Sequence, residues 1–336
     1  MVTIKDVARE AGVSVATISR VCNGSAAVKE ETRRHVLDVA ARLGYSPHGA
    51  ARSLITSRTN TIGVLLPDLH GEFFSEVIRS IDHAAHQDGY HLLVSSSHDE
   101  EREILTSFRA MRGRVDGLLV MSPDLEARGA VHSFPDGFPV VLLNCPAERE
   151  GYDSIVIANH EGASAVVKHF IALGHRRIAM ITGRERNHDA AERLRGFRDT
   201  VSEAGIPAED ALEAAGDFSE ESGFQAAREL LRAGHRPTAI FAANDSMAIG
   251  ALSALREGGV RVPEEVAVAG FDDIPMARYM NPPLTTVHVD ISALGARATR
   301  RLLEQIHAES GASREHRQEV VPATLVVRGS SGATPP

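Results

Sequence analysis

Disulfide chemistry is the first thing this chain lacks: its 336 residues include two cysteines, Cys22 and Cys145. That is too few for the stapled framework of a small secreted domain. Long apolar runs are missing too. The best of them, residues 62–66 and 117–121, fall far short of the roughly 20 residues that a membrane-spanning helix needs. Charges at Lys5, Asp6, Arg9 and Glu10 interrupt the N-terminus, so no secretory h-region is present and a cytoplasmic protein is expected. Catalytic signatures are absent as well: no phosphate-binding G-x-x-x-x-G-K-[ST], no G-x-S-x-G, no H-E-x-x-H and no G-x-G-x-x-G after a strand. Of the 16 histidines, His83 and His86 share a helix face but lack a nearby third ligand, so no metal site is expected. No cofactor is called for, and an enzyme is not expected.

What the chain has is ordinary globular material, 43% hydrophobic and 24% charged, which rules out disorder. Its length suits two or three domains. The charge is unevenly placed. Residues 1–58 hold nine Lys or Arg against five Asp or Glu, a net of +4, while the remainder carries −13. A basic head on an acidic body suits a polyanion partner, although a solvated face would look similar.

The head reads as three short helices. Thr3 and Asp6 have capping-box spacing, and Ile4, Val7, Ala8 and Ala11 follow at helical intervals. Gly12 breaks the helix and Val13 plugs the turn. Ser14 caps a second helix over 15–22 with apolar Val15, Ile18, Val21 and Cys22. Two helices joined by a Gly-containing turn have helix-turn-helix spacing. A third helix runs from about 30 to 43 on Val36, Leu37, Val39, Ala40 and Leu43, and Gly44 ends it. A generic three-helix domain would not explain the other side of the second helix. Val15, Ala16, Thr17, Ser19, Arg20 and Asn23 are small or hydrogen-bonding, with one bidentate cation. That is the chemistry with which a helix enters a major groove and pairs with guanine.

These residues carry a resemblance. Asp6-Val7-Ala8, the run Ala11 to Val21, Asn23-Gly24, and Val36 through Gly44-Tyr45 and Pro47 resemble the DNA-binding head of the LacI/GalR family of bacterial transcriptional regulators. The resemblance implies that Val15, Ala16 and Arg20 read bases and that Ser14, Thr17 and Asn23 contact phosphates. It also gives residues 47–60 a second state. By themselves, Gly49 to Leu54 are too short and too small for a stable helix and read as a flexible linker. In the family this hinge folds on the operator, with a small residue, here Ala51, at the crossing of two hinges and a leucine, here Leu54, wedged into the minor groove. His48 departs from the asparagine common at its position.

From residue 61 onward apolar runs alternate with helical stretches: 62–66, 91–95, 115–121, 140–143, 155–158, 178–182, 239–242 and 266–269, with helices near 73–87, 101–111, 161–173, 190–204, 219–231 and 245–256. Such alternation predicts parallel α/β sheets, and two series in tandem predict two lobes. The last segments, 294–307 and 320–327, would complete those sheets. Gly174 to Ile178, Ala243-Asn244-Asp245, Gly270-Phe271-Asp272-Asp273 and Pro283 to Val287 resemble landmarks of the same family's periplasmic-binding-protein-like core. The resemblance thus implies a three-helix head over 1–46, a hinge over 47–60 and a two-lobed α/β core over 61–330. The first lobe would take about 61–158 and 291–318, the second about 159–290 and 319–330. In such sheets ligands lie beyond the carboxyl ends of the strands.

Matched to the family's effector contacts are Phe73, Phe74, Asn144, Arg193, Asn244 and Asp272, with His70 a weaker candidate. The residues have plainer readings too. One of the two phenylalanines could be core, Asp272-Asp273 a turn or cap, Asn244-Asp245 a helix cap, Asp245 especially, and Cys145 a small packing residue. Ala158 stands where an aspartate is often found, and Asn187 where purine-binding relatives carry an arginine. Together with the absence of tryptophan, this points to a sugar effector, with a nucleobase as the alternative. The implied protein is a repressor binding operator DNA as a homodimer, since the chain ends in a small, Pro-rich segment in place of a leucine-rich tetramerisation helix. The body alone would also fit a soluble sugar-binding protein.

Overall fold

The structure, a computed structural model, describes residues 2–22, 27–45, 58–98, 101–122, 134–135, 137–145, 151–234, 236–308 and 316–332. Backbone contacts divide it into two units, Met1–Asn60 with Gly113–Asp116 and Thr61–Arg112 with Gly117–Pro336.

The first unit holds α1 (Ile4–Glu10), α2 (Val15–Cys22) and α3 (Glu30–Leu43). The Asp6 carboxylate accepts hydrogen bonds from the Thr3 hydroxyl (2.7 Å) and backbone N–H (3.0 Å). These bonds hold its carboxyl below the ordinary range and fix the start of α1. Gly12, at φ +62°, supplies the turn that an L side chain would resist. Ser14 Oγ accepts the Thr17 N–H at 3.1 Å, which caps α2. Val7, Ala8, Ala11, Ile18, Val21, Val36 and Val39 form the buried core. Two expectations fail here. Leu37 is 51% exposed, because one residue advances about 100° around a helix and carries it off the stripe of Val36, Val39 and Leu43. Val15 is also exposed, which leaves it on the outward face of α2. Most of the hinge, including His48, Ala51 and Leu54, lies outside the described residues, which resume at Arg58, and Asn23 lies outside them too.

The second unit contains two six-stranded sheets. The first has the order β11-β5-β4-β3-β1-β2 and is parallel throughout. Its strands are β1 (Thr61–Leu66), β2 (His91–Ser96), β3 (Gly117–Met121), β4 (Val140–Leu143), β5 (Asp153–Ile157) and β11 (Gln318–Val321). The second has the order β12-β10-β9-β8-β6-β7, with β6 (Ile178–Ile181), β7 (Ala211–Ala214), β8 (Ala239–Ala242), β9 (Ala267–Asp272), β10 (Thr285–Val289) and an antiparallel β12 (Ala323–Val326). The helices are α4 (Glu72–Gln87), α5 (Glu101–Met111), α6 (Asn159–Ala172), α7 (His188–Glu203), α8 (Glu220–Arg232), α9 (Asp245–Glu257) and α10 (Ile291–His307). The central strands β3, β4, β5, β6 and β8 are buried along their whole length, as strands covered on both faces must be, and so they read as unbroken apolar runs.

Strands β7 and β10 were not anticipated. β7 is a half-buried edge with Glu213 in it and shows no apolar run. The expected single segment 320–327 is two strands, split at Pro322, which cannot donate a ladder hydrogen bond. β11 belongs to the first sheet and β12 to the second. The chain therefore passes from the first lobe to the second at residue 322, a few residues beyond the boundary expected at 318. In each sheet the strand order reverses, between β1 and β3 and between β6 and β8. At such switch points the loops beyond the carboxyl ends of the strands open a crevice.

Candidate functional site

The expected site residues gather in two places. On the head, the exposed side of α2 presents Val15 (41% exposed), Ala16 and Arg20. Thr17 is half-buried, and its hydroxyl meets the Ser14 hydroxyl at 2.9 Å. The face is small near the helix start and ends in a guanidinium, whose parallel N–H groups suit guanine O6 and N7.

The second place is a cleft between the two sheets, and it brings together Phe73, Phe74, Asn144, Arg193, Asn244 and Asp272. The elements explain why. Phe73 and Phe74 sit in the first turn of α4, just beyond β1, and meet edge to face at 5.5 Å between ring centroids. Both line the cleft, and both also pack on the core. Asn144 follows β4, Asn244 follows β8 and Asp272 ends β9. Arg193 lies on α7, beyond β6. His70, Asp68, Asn187 and Phe218 are in the wall as well.

Arg193 is tied into the second lobe. Its Nε–H donates to Asn159 Oδ1 (2.8 Å) and its Nη1–H to the Ala243 carbonyl (2.5 Å). Its guanidinium lies 3.7 Å from the Phe271 ring centroid, and Nη2 stands 3.3 Å from Asp272 Oδ1. That last contact has ion-pair distance but lacks hydrogen-bond direction, so Asp272 Oδ1 is buried with no hydrogen-bond partner. Asn144 Oδ1 is in the same condition. Both residues hold left-handed backbone, φ +51° at Asn144 and +107° at Asp272, a conformation that side-chain-bearing residues adopt sparingly and that clusters at functional sites. Burial pushes the Asp272 carboxyl up to about 7, against the pull of Arg193.

Asn244 is at once a wall residue and the N-cap of α9: its side chain accepts the Met247 N–H (2.9 Å) and donates to the Phe218 carbonyl (3.0 Å). Of the pair expected to cap this helix, Asn244 takes the role and Asp245 does not. Asp245 is fully buried outside the cleft wall. It accepts from Thr286 Oγ1 (2.5 Å) and from the Ile274 N–H (2.9 Å), and so ties α9 to β10 and to the loop that leaves Asp272. Desolvation raises its carboxyl well above the usual range. Gly270 makes this possible, because a Cβ there would overlap Asp245 Oδ1. Asp273 is a tether as well, accepting from Arg328 Nη2 (2.6 Å) and from His288 Nδ1 (3.0 Å). Asn187 caps α7 by accepting the Ala190 N–H at 3.0 Å. Asp217 accepts from the Ser219 hydroxyl and N–H, which lowers its carboxyl.

Sequence reasoning missed several wall residues: Asp68, Glu72, Asp189, Asp217, Phe218 and Glu220. Each sits just past a strand or opens a helix. The only sequence signal available was position, a polar residue in the loop after an apolar run.

Residues 3–48 match the bacterial regulatory proteins of the lacI family, and residues 167–331 match the periplasmic binding protein-like domain. The HTH-type transcriptional repressor PurR of Erwinia tasmaniensis is 38% identical over 336 residues, covering 98% of this chain and 97% of that protein. The PurR repressor of Vibrio atlanticus is 36% identical over 97% of this chain and 99% of its own. The chain belongs to the LacI family. Among solved structures, the lac repressor dimer bound to operator and the anti-inducer ONPF matches with a TM-score of 0.88 at 32% identity, over 99% of both chains. The CelR–cellobiose complex matches with a TM-score of 0.72 at 31% identity, over 98% of this chain and 100% of that one. This LacI-family chain is a DNA-binding transcriptional repressor, built from the helix-turn-helix head and two-lobed core described above. The names of the curated relatives give no support to a sugar effector. Among the described residues, no helix is long and apolar enough to cross a membrane.

Proposed function

We propose that this repressor binds a pseudo-palindromic operator as a homodimer in the cytoplasm and is released by a small effector taken into the cleft between the lobes. Val15, Ala16 and Arg20 read bases, while Ser14, Thr17 and Asn23 hold phosphates. Ala51 and Leu54 form the minor-groove hinge. Protein two-fold symmetry is mirrored in the operator.

The observation that carries the effector reading is the pair of partnerless acceptors on one cleft, Asn144 Oδ1 from the first lobe and Asp272 Oδ1 from the second. Leaving Asn144 Oδ1 without a hydrogen bond costs the folded state on the order of 1–3 kcal/mol, whereas Asp272 Oδ1 is partly compensated by the Arg193 guanidinium 3.3 Å away. A ligand whose hydroxyl or N–H groups reach both, after small side-chain rotations, relieves that cost only when the two lobes face it together. This gives the ligand a differential affinity for one lobe arrangement, and a ligand can shift an equilibrium only by such a difference.

A sugar is the first reading: the acceptors suit hydroxyls, the aromatic rings suit sugar C–H faces, and the related CelR structure holds cellobiose. A nucleobase is the second. Kinship to repressors named PurR favours it, as do Phe73, Phe74 and Phe218, which offer faces to a planar ring.

The test is a gel shift of the full-length protein on its own upstream DNA, with candidate sugars and nucleobases. One class should weaken operator binding by wild type, and the response should vanish in Asn144→Ala and in Asp272→Asn. A response that persists in both variants would place the effector elsewhere.

A further inference from the structure

The charge of the cleft is as informative as its shape. Six carboxylates line it, those of Asp68, Glu72, Asp189, Asp217, Glu220 and Asp272, against two guanidiniums, Arg184 and Arg193. Arg193 stands at ion-pair distance from Asp272 and Arg184 pulls the Asp217 carboxyl down, so the two cations answer two of the acids, and each has further partners. Arg193 donates to the Asn159 amide and the Ala243 carbonyl, and Arg184 Nε donates to the Asp217 backbone carbonyl at 3.3 Å.

Three of the acids are oriented by neutral donors. Asp68 Oδ1 accepts the backbone N–H groups of Leu69 (2.7 Å) and His70 (3.0 Å). Glu72 Oε2 accepts the Met276 N–H at 3.0 Å, reaching from the first lobe to the second. Glu220 Oε1 accepts the Ser246 hydroxyl at 2.6 Å. Backbone amides and hydroxyls position a carboxylate without cancelling its charge. Among the described residues, no cationic nitrogen lies within 4.0 Å of these three acids. The two partnerless oxygens of the same wall, on residues 2% and 5% exposed, also ask for donors. A cleft that combines a surplus of acidic side chains at its half-buried and exposed rim with buried acceptors at its floor attracts positive charge and repels anions.

We propose that the effector carries a protonated amine beside its hydroxyls, as an amino sugar or aminocyclitol does, and that phosphorylated or carboxylated analogues are rejected. The proposal rests on the reading of this cleft as the effector site. An ammonium group brings N–H donors and a full charge, so its hydrogen bonds to carboxylates are the charge-assisted kind. A phosphate would set two negative charges against the ionised acids of the wall, Asp68, Glu72 and Glu220 among them.

The experiment is calorimetric titration of the full-length protein with a library of amino sugars and aminocyclitols, each paired with its neutral parent and, where it exists, its 6-phosphate. At least one amine should bind ten-fold or more tightly than its neutral parent, with the phosphate showing no heat. For that amine, Glu72→Gln and Glu220→Gln should each weaken binding about ten-fold and narrow its preference over the neutral parent. The circular dichroism melt of each variant verifies its fold. A library in which no amine binds, or in which neutral or phosphorylated members bind best, overturns the amine. Failure of the cleft itself looks different: the best binder would keep its affinity in both Asn144→Ala and Asp272→Asn.

Discussion

Replacing Asp272 by asparagine should make the second unit's stability less sensitive to pH, in a direction and window that the site fixes. The residue is 5% exposed, and burial lifts its carboxyl to about 7 although Arg193 stands beside it. In the unfolded chain the same group titrates near 3.9. Between the two values the unfolded state has released a proton that the folded state still holds, so stability falls as pH rises. The slope is about 1.4 kcal/mol per pH unit, and the whole interval of about three units amounts to about 4 kcal/mol. Below about pH 4 both states are protonated and the full stability is present, while above about 7 the loss is complete. Asp272→Asn keeps the shape and removes the proton. Asp245 is raised by its own burial and, next, by the charge of Asp272, so the difference between the two proteins reports this coupled pair, with Asp272 as its variable member. Urea unfolding followed by circular dichroism from pH 5 to pH 7 at fixed ionic strength should show wild type losing about 2–3 kcal/mol relative to the variant. Parallel profiles would mean that Asp272 is ionised throughout, held so by Arg193. The cost of its partnerless oxygen would then have been misjudged.

Arg20→Ala should cost about 1–3 kcal/mol per half-site and relax preference at one base position; site selection that returns an unchanged consensus would reduce Arg20 to a surface charge. At Gly250 a Cβ would overlap the Glu220 carbonyl oxygen where α9 crosses α8, so Gly250→Ala should destabilise the core by about 1–3 kcal/mol. The same change should also blunt the effector response, since both helices begin in the cleft wall; a wild-type melting temperature and titration would refute it. Asp153 accepts from Arg301 Nε (2.9 Å) and Nη2 (3.1 Å), Gln305 (2.9 Å) and the Arg317 N–H (2.9 Å), bonds that outweigh its desolvation and hold its carboxyl below the ordinary range. Asp153→Ala should cost about 2–4 kcal/mol near neutral pH, and the gap from wild type should begin to close as pH falls below the unfolded-chain value of about 3.9 and go on closing until the native carboxyl, held lower, is protonated as well. A constant gap down to pH 2 would show that packing, and not the charge, is lost.

The parts of the fold legible in the sequence were those whose cause is local or periodic. The central strands are apolar along their whole length because helices cover both faces, and the Thr3–Asp6, Gly12–Ser14 and Gly44 signals are chemistry confined to a few neighbouring residues. What stayed hidden depends on distant partners. β7 has half-buried alternation too weak to register, and it is a strand because β6 offers it a ladder. Leu37 looked like core because composition was read without its angular position. Pro322 divides two strands, but which sheet each joins is decided by β5 and β10, more than 30 residues away. The cleft shows the same limit at finer grain. Asn244 and Asp245 are adjacent and both polar, and the sequence offers no way to rank them. The fold does so through geometry: position 244 ends in extended backbone where a side chain can cap α9 and still face the cleft, while position 245 is turned inward over Gly270. The inward acid then holds the Ile274 N–H and so fixes the loop that leaves Asp272 in the cleft wall. A buried carboxylate outside the wall thus acts on the site through position alone. Asp245→Asn should therefore weaken the effector response by displacing Asp272, even though it removes no cleft contact.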